Sequence, residues 1–173
     1  AKHTALDNGQ VMAAHSWTVP VNRNTRALLP QLSESGGIRP SERTSLGGVM
    51  AVARQLFAHT AVKKVVMVAL PHQRSCMHLD TVFTFVDERT CVEFPPIIAN
   101  EVHNVFEFSA SDDPDRFTTR AWPSLKIALE ALLGHPMHFI PCGGSDLLSQ
   151  QREQWTDGAN LFAVAPNVVI AYE

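Results

Sequence analysis

The densest run of side chains able to do chemistry is Cys76-Met77-His78-Leu79-Asp80. An imidazole moves protons near neutral pH, a carboxylate holds a cation through charge-assisted hydrogen bonds, and a thiol attacks carbon or binds metal. On an extended strand successive side chains alternate, so Cys76, His78 and Asp80 share one face while Met77 and Leu79 enter a core. Two positions along such a face are separated by about 6.5 Å, too far for a thiol–imidazole hydrogen bond. A nucleophile served by His78 is therefore expected from another segment. Two other readings stay open. The three residues can be a polar strand end at a sheet rim, with Arg74 as a partner for Asp80, or a metal site, since all three types bind zinc.

Weaker candidates lie elsewhere. His135-Pro136-Met137-His138 with Cys142 is a second set of metal-ligand types, although a single HxxH at a helix–strand junction is more often a pair of surface histidines. Cys142-Gly143-Gly144-Ser145 is a glycine loop that can cradle an anion, and turn chemistry alone also accounts for its glycines. Arg43, in Ser41-Glu42-Arg43-Thr44-Ser45, sits where a helix begins. There a guanidinium and free backbone N–H groups can hold a carboxylate or phosphate, and pairing with Glu42 is the plainer alternative. Residues 151–160, QREQWTDGAN, read as a polar loop or site rim around one Trp.

These groups must be positioned by a mixed set of elements. Val49, Val52, Ala53, Leu56 and Phe57 recur at helical spacing after Thr44 or Ser45 as N-cap. Strands are predicted over 64–70, stopped by Pro71, then over 77–87, 91–94 and 105–110, with a turn at 87–90 and a solvated loop at 109–115. A second helix is predicted over about 124–133, between Ser124 as N-cap and Gly134 just past its end. A strand at 137–141 and a hairpin over 161–173 complete the pattern. Residues 1–40 are punctuated by Pro20, Pro30, Gly36, Gly37 and Pro40, and only 11–21 look strand-like. The fold class is α/β with short, partly antiparallel sheets. The order helix, strand, loop, hairpin occurs twice, over 44–94 and 122–173, without clear sequence repetition.

The chain has 173 residues, of which 45% are hydrophobic and 18% charged, a composition that folds rather than stays disordered. No apolar run approaches the roughly 18 residues of a membrane span, and the N-terminus lacks the apolar stretch of a secretory signal. The net charge is −3. Residues 1–75 carry nine Lys/Arg against three Asp/Glu, and 76–173 carry five against fourteen, but only Lys63 and Lys64 are adjacent. Scattered charge of this kind gives no nucleic-acid footprint. Three cysteines without CxxC spacing argue against a disulfide framework and for a reducing, cytoplasmic setting. The absent initiator Met and a final VVIAYE that stops in mid-strand make both ends read as the ends of a piece.

Taken together, MHLDTVFTFVD (77–87), SERTS (41–45), REQWTDGAN (152–160) and VAPNVVIAYE (164–173) resemble, in order and spacing, the C-terminal part of the arginine deiminases. The resemblance runs from Ser41 to Glu173 and leaves 1–40 as an unmatched segment. It implies a pentein fold, a propeller of ββαβ units, here an incomplete one. It implies hydrolysis of L-arginine to L-citrulline and ammonia through a covalent cysteine intermediate, with no metal and no organic cofactor. His78 matches the general acid/base, Asp80 a carboxylate that orients the substrate guanidinium, and Arg43 an arginine that holds the substrate carboxylate. The family's nucleophilic cysteine follows a glycine-rich segment that has no counterpart here, and Cys76, Cys91 and Cys142 do not occupy its position. Its Glu-Gly-Gly-Asp segment has no equivalent either, since Glu34-Ser35-Gly36-Gly37 lies too close to Arg43. The chain is thus expected to be a partial copy, inactive alone and prone to self-association. The alternative is a non-catalytic relative that binds guanidino compounds or acts as an interaction domain. Neither membrane nor nucleic acid is an expected partner.

Overall fold

Apolar residues alternating along six short strands build two three-stranded sheets around a shared core. In the computed structural model, residues 3–5, 11–13, 44–59, 62–99, 105–111, 116–166 and 168–171 are described. The elements run β1 (His3–Ala5), β2 (Val11–Ala13), α1 (Leu46–His59) and β3 (Lys64–Val68). Two single 3-10 turns follow, Arg74–Cys76 and Leu79–Thr81, then β4 (Phe83–Phe85), β5 (Thr90–Glu93), α2 (Pro95–Ile98), β6 (Val105–Ala110) and β7 (Phe117–Trp122). The chain continues through α3 (Leu125–Leu133), β8 (His138–Pro141), α4 (Leu147–Trp155), β9 (Phe162–Ala165) and β10 (Val168–Ile170).

The first sheet is antiparallel in the order β3-β6-β7. One of its faces, with Val65, Met67, Phe106, Phe108 and Phe117, packs on α1 through Leu46, Met50, Val49 and Phe57. Ser45 caps that helix, its Oγ accepting the Gly48 N–H at 3.1 Å. The buried face is turned toward Leu46 and Met50 from the predicted Val49–Phe57 stripe, because Met50 is fully enclosed in this cluster. The opposite sheet face sends Val66, Val68, Val105 and Trp122 into a second cluster with Phe83, Cys91, Phe94, Leu125 and Leu129. That cluster joins both sheets and α3. In the second sheet β4 and β5 form an antiparallel hairpin, and β8 lies parallel to β5. Helix α3 is bounded as predicted: Ser124 Oγ accepts the Ile127 N–H at 3.2 Å, and Gly134 takes φ +76°. The hairpin β9–β10 is also present.

Two expectations are corrected, and one strand is new. The predicted strand over 77–87 is extended only at Phe83–Phe85. Upstream of it, local hydrogen bonds win over a ladder: Thr81 Oγ1 donates to the His78 carbonyl at 2.7 Å, and Val82 N–H to the Leu79 carbonyl at 3.0 Å. Residues 147–155 form α4, so the stretch 151–160, expected to be a polar loop or site rim, is helical as far as Trp155. Its start is fixed by Asp146, whose carboxylate accepts from Ser149 N–H at 2.8 Å and Ser149 Oγ at 2.9 Å. Strand β7 was not anticipated, since as an edge strand it exposes Thr118, Thr119, Arg120 and Ala121 between buried Phe117 and Trp122. The sheets do not close into a propeller among the described residues. Of the segment 11–21, Val11–Ala13 is a strand and the rest lies outside the described residues. No helix among the described residues is long and apolar enough to cross a membrane.

One buried charge sits on the shared-core face of the first sheet. Glu107 accepts from Trp122 Nε1, Ser109 Oγ and Lys64 Nζ, each at 2.9 Å. Burial pushes its pKa up, but the bonds from Lys64, Ser109 and Trp122 outweigh this and hold the carboxyl below its usual range. A carboxyl depressed on folding stabilises the protein above its unfolded pKa and loses that contribution as pH falls through the folded value. Glu107→Gln is therefore expected to be less stable than the parent at pH 7 and to lose less stability on acidification below about pH 5. Urea unfolding followed by tryptophan fluorescence checks this, and parallel pH profiles for the two proteins would contradict it.

Candidate active site

The segment bearing His78 and Asp80 is pinned to the core by the residues between and beside them. Cys76 and Val82 are buried in the shared cluster and Leu79 packs against it. His78, in extended backbone conformation at the entry of the Leu79–Thr81 turn, and Asp80 inside that turn are both half-buried. The two flank Leu79, and the Thr81 hydroxyl bonded to the His78 carbonyl sets the turn. The expected single strand face is thus replaced by a turn. Cys76 points into the core, hydrogen-bonded by Gln73 Nε2 at 3.2 Å, while His78 and Asp80 remain at its border. A histidine and a carboxylate so placed can transfer a proton to, and orient, a cationic group between them and solvent.

A second segment is locked beside the first. Helix α4 has polar residues on most of its surface, yet Gln150 and Gln154 are buried. Gln150 Nε2 donates to the Gly144 carbonyl at 2.6 Å, and Gln154 Nε2 to the Ser75 carbonyl at 2.6 Å. After Trp155 the chain reverses through Asp157, at φ 60°, and Gly158, whose N–H reaches the Glu153 carbonyl at 2.7 Å. A Cβ at Gly158 would come within 2.9 Å of that carbonyl oxygen and 3.2 Å of Cys142 Sγ, so the turn needs glycine at 158. Gly143, at φ +75°, likewise lets the backbone of Gln150 approach. The glycine loop at 142–145 is therefore a packing device. The two glutamines were missed because 151–160, with Gln154, was read as loop and no element was assigned at Gln150, although their i, i+4 spacing on a helix was the available signal.

The other candidates are not brought together. Arg43 lies outside the described residues. His138 is exposed at the start of β8, His135 bonds its ring Nδ1 with the Pro136 carbonyl at 3.1 Å, and Cys142 is buried. Among the described residues no group of three or more His, Cys, Asp and Glu side chains gathers to hold a metal ion, so neither Cys76/His78/Asp80 nor His135/His138/Cys142 forms a ligand set. All three cysteines are free and buried. Burial, with Glu93 and Asp87 adding repulsion, pushes the Cys91 thiol far above its usual range, and burial with Glu153 nearby pushes Cys142 up. Cys91 also directs its thiol at the His138 carbonyl, 3.6 Å away.

Comparison with known proteins places this sequence in a family. Residues 37–173 match the family model described as arginine deiminase. An arginine deiminase of Bacillus cereus (strain B4264) is 34% identical over 176 residues, covering 100% of this chain and 42% of the relative. One of Listeria monocytogenes serotype 4a (strain HCC23) is 40% identical over 136 residues, covering 77% of this chain and 33% of the relative. The chain thus spans about two fifths or less of the length of these curated relatives. With the histidine–carboxylate turn and the polar helix seated beside it both inside the matched stretch, the chain belongs to the arginine deiminase family.

Proposed function

We propose that the chain supplies the proton-transferring and guanidinium-orienting half of an arginine deiminase site, in a protein that hydrolyses L-arginine to L-citrulline and ammonia. The observation that carries this reading is the seating of the two matched segments against each other, with His78 and Asp80 displayed on one turn and Gln154 tying the polar helix to it. A cysteine thiolate adds to the guanidinium carbon, and His78 protonates the departing ammonia. His78 then takes a proton from water as its oxygen adds to the thio-linked carbon, and the C–S bond breaks to release citrulline. Asp80 accepts hydrogen bonds from the guanidinium throughout and fixes the carbon in line with both groups. Arg43 is the residue proposed for the substrate carboxylate.

The thiol in this scheme is proposed to come from a part of the enzyme other than this chain. Two facts support that: Cys76, Cys91 and Cys142 are buried, and the relatives are more than twice as long. The architecture proposed is an incomplete propeller of ββαβ units, with residues 41–173 as the partial catalytic domain. In support, β4, β5, α3 and β8 follow that order within one packed sheet unit, with β6 and β7 inserted before the helix. Apolar side chains of Leu148, Trp155, Val164 and Ile170 stand exposed, the kind of surface a continuing ring or a second copy would cover. Free thiols agree with the cytoplasmic location proposed for it. The buried cysteines also favour a second reading, guanidino-compound binding without turnover.

Exchanging the matched stretch of the Bacillus cereus enzyme for residues 37–173 separates the two. The exchanged enzyme is expected to form citrulline. His78→Ala should lower kcat about 10²- to 10⁴-fold, and Asp80→Asn should lower kcat/KM by about tenfold or more. Arginine binding without citrulline would leave the non-catalytic reading, and turnover indifferent to His78→Ala would overturn the site assignment. For the thiols, dithiobisnitrobenzoate at pH 8 should label the native chain slowly and all three cysteines at once in urea. Rapid labelling of any native cysteine would return it to candidacy as the nucleophile.

A further inference from the structure

We infer that Gln154 is a positioning residue for His78, an inference that rests on the deiminase reading of that histidine for its kinetic consequence but not for its geometry. The segment from Pro71 to Val82 closes on itself through short-range backbone bonds: Gln73 to Pro71, Cys76 to Gln73, Thr81 to His78 and Val82 to Leu79. Such single 3-10 turns leave carbonyls at their ends without partners inside the turn. The Ser75 carbonyl is one of them, and a buried amide 79 residues away satisfies it at 2.6 Å. Ser75 and the core-buried Cys76 hold the backbone just before His78, and Thr81 holds it just after.

Gln154 can act as a fixed point because α4 is itself immobilised at both ends. Asp146 caps its start, and the Asp157-Gly158 reversal past its end closes on Cys142. Helix position is thus transmitted to the entrance of the histidine turn through one donated hydrogen bond. A buried amide bonded at this distance fixes where its acceptor sits. Removing the donor lets the Ser75–Met77 backbone relax, and the imidazole moves with it.

Gln150 is a matched control: equally buried, one helical turn away, with the same kind of bond at the same 2.6 Å, but directed at Gly144 rather than at the histidine segment. Gln154→Met and Gln150→Met are compared in the full 173-residue chain by NMR titration of the His78 ring and by thermal unfolding. The same pair is compared kinetically in the exchanged enzyme. We expect similar losses of thermal stability from both, but a displaced His78 titration only in Gln154→Met, with kcat lowered about ten- to a hundredfold and KM nearly unchanged. If Gln154→Met does not unfold cooperatively, Gln154→Asn, which withdraws the donor by one methylene, takes its place. Equal destabilisation with His78 titration and kcat unmoved in both would overturn the positioning role. A His78 shift confined to the Gln154 variant in a chain whose exchanged enzyme makes no citrulline would uphold the positioning geometry while the deiminase reading fails.

Discussion

Everything at the site depends on one constraint: a short segment must bury Cys76 and Val82 in the shared core and pack Leu79 against it while keeping His78 and Asp80 at its border. Core-contacting positions three residues apart match the three-residue period of a 3-10 turn and clash with the two-residue period of a strand. The chain therefore turns twice before it extends at Phe83. The turning leaves carbonyls to be satisfied, and the hydroxyl of Thr81 and the amide of Gln154 do so. Position of the imidazole, burial of the flanking apolar side chains and satisfaction of the backbone are one problem with one solution.

The rest of the fold supplies the surface onto which that segment is pressed. Helix α3, the hairpin β4–β5 and the shared-core face of the first sheet meet around Phe83, Cys91 and Leu129. Helix α1 covers the opposite face of that sheet. Even the charge buried there is enlisted, since Glu107 ties β6 to Lys64 on one neighbour and Trp122 on the other.

Much of this was legible from residue order because the signals were strong and local. Ser124 and Gly134 bracket α3 as side-chain cap and left-handed stop, a β-branched run marks β3, and an alternating pattern marks β6. The closeness of His78 and Asp80 on one short segment was legible too from their spacing, and the chemistry given to them is the proposal made above. Their conformation was not, because an alternating pattern was imposed where Cys76, Leu79 and Val82 carry a period of three. Helix α4 was hidden for a different reason: with its glutamines buried and Leu147, Leu148 and Trp155 exposed, it shows the reverse of the usual apolar-in arrangement. A contact such as Gln154 to Ser75, which spans 79 residues, leaves no local trace at all.

The most direct test of the central claim, that the His78–Asp80 turn receives the guanidinium of arginine, is an NMR titration of the chain with L-arginine. The account predicts that arginine shifts the resonances of His78, Leu79 and Asp80, that Asp80→Asn abolishes those shifts, and that citrulline, lacking the positive charge, produces smaller ones. Arginine-induced shifts that fall elsewhere and leave residues 78–80 unmoved would contradict it.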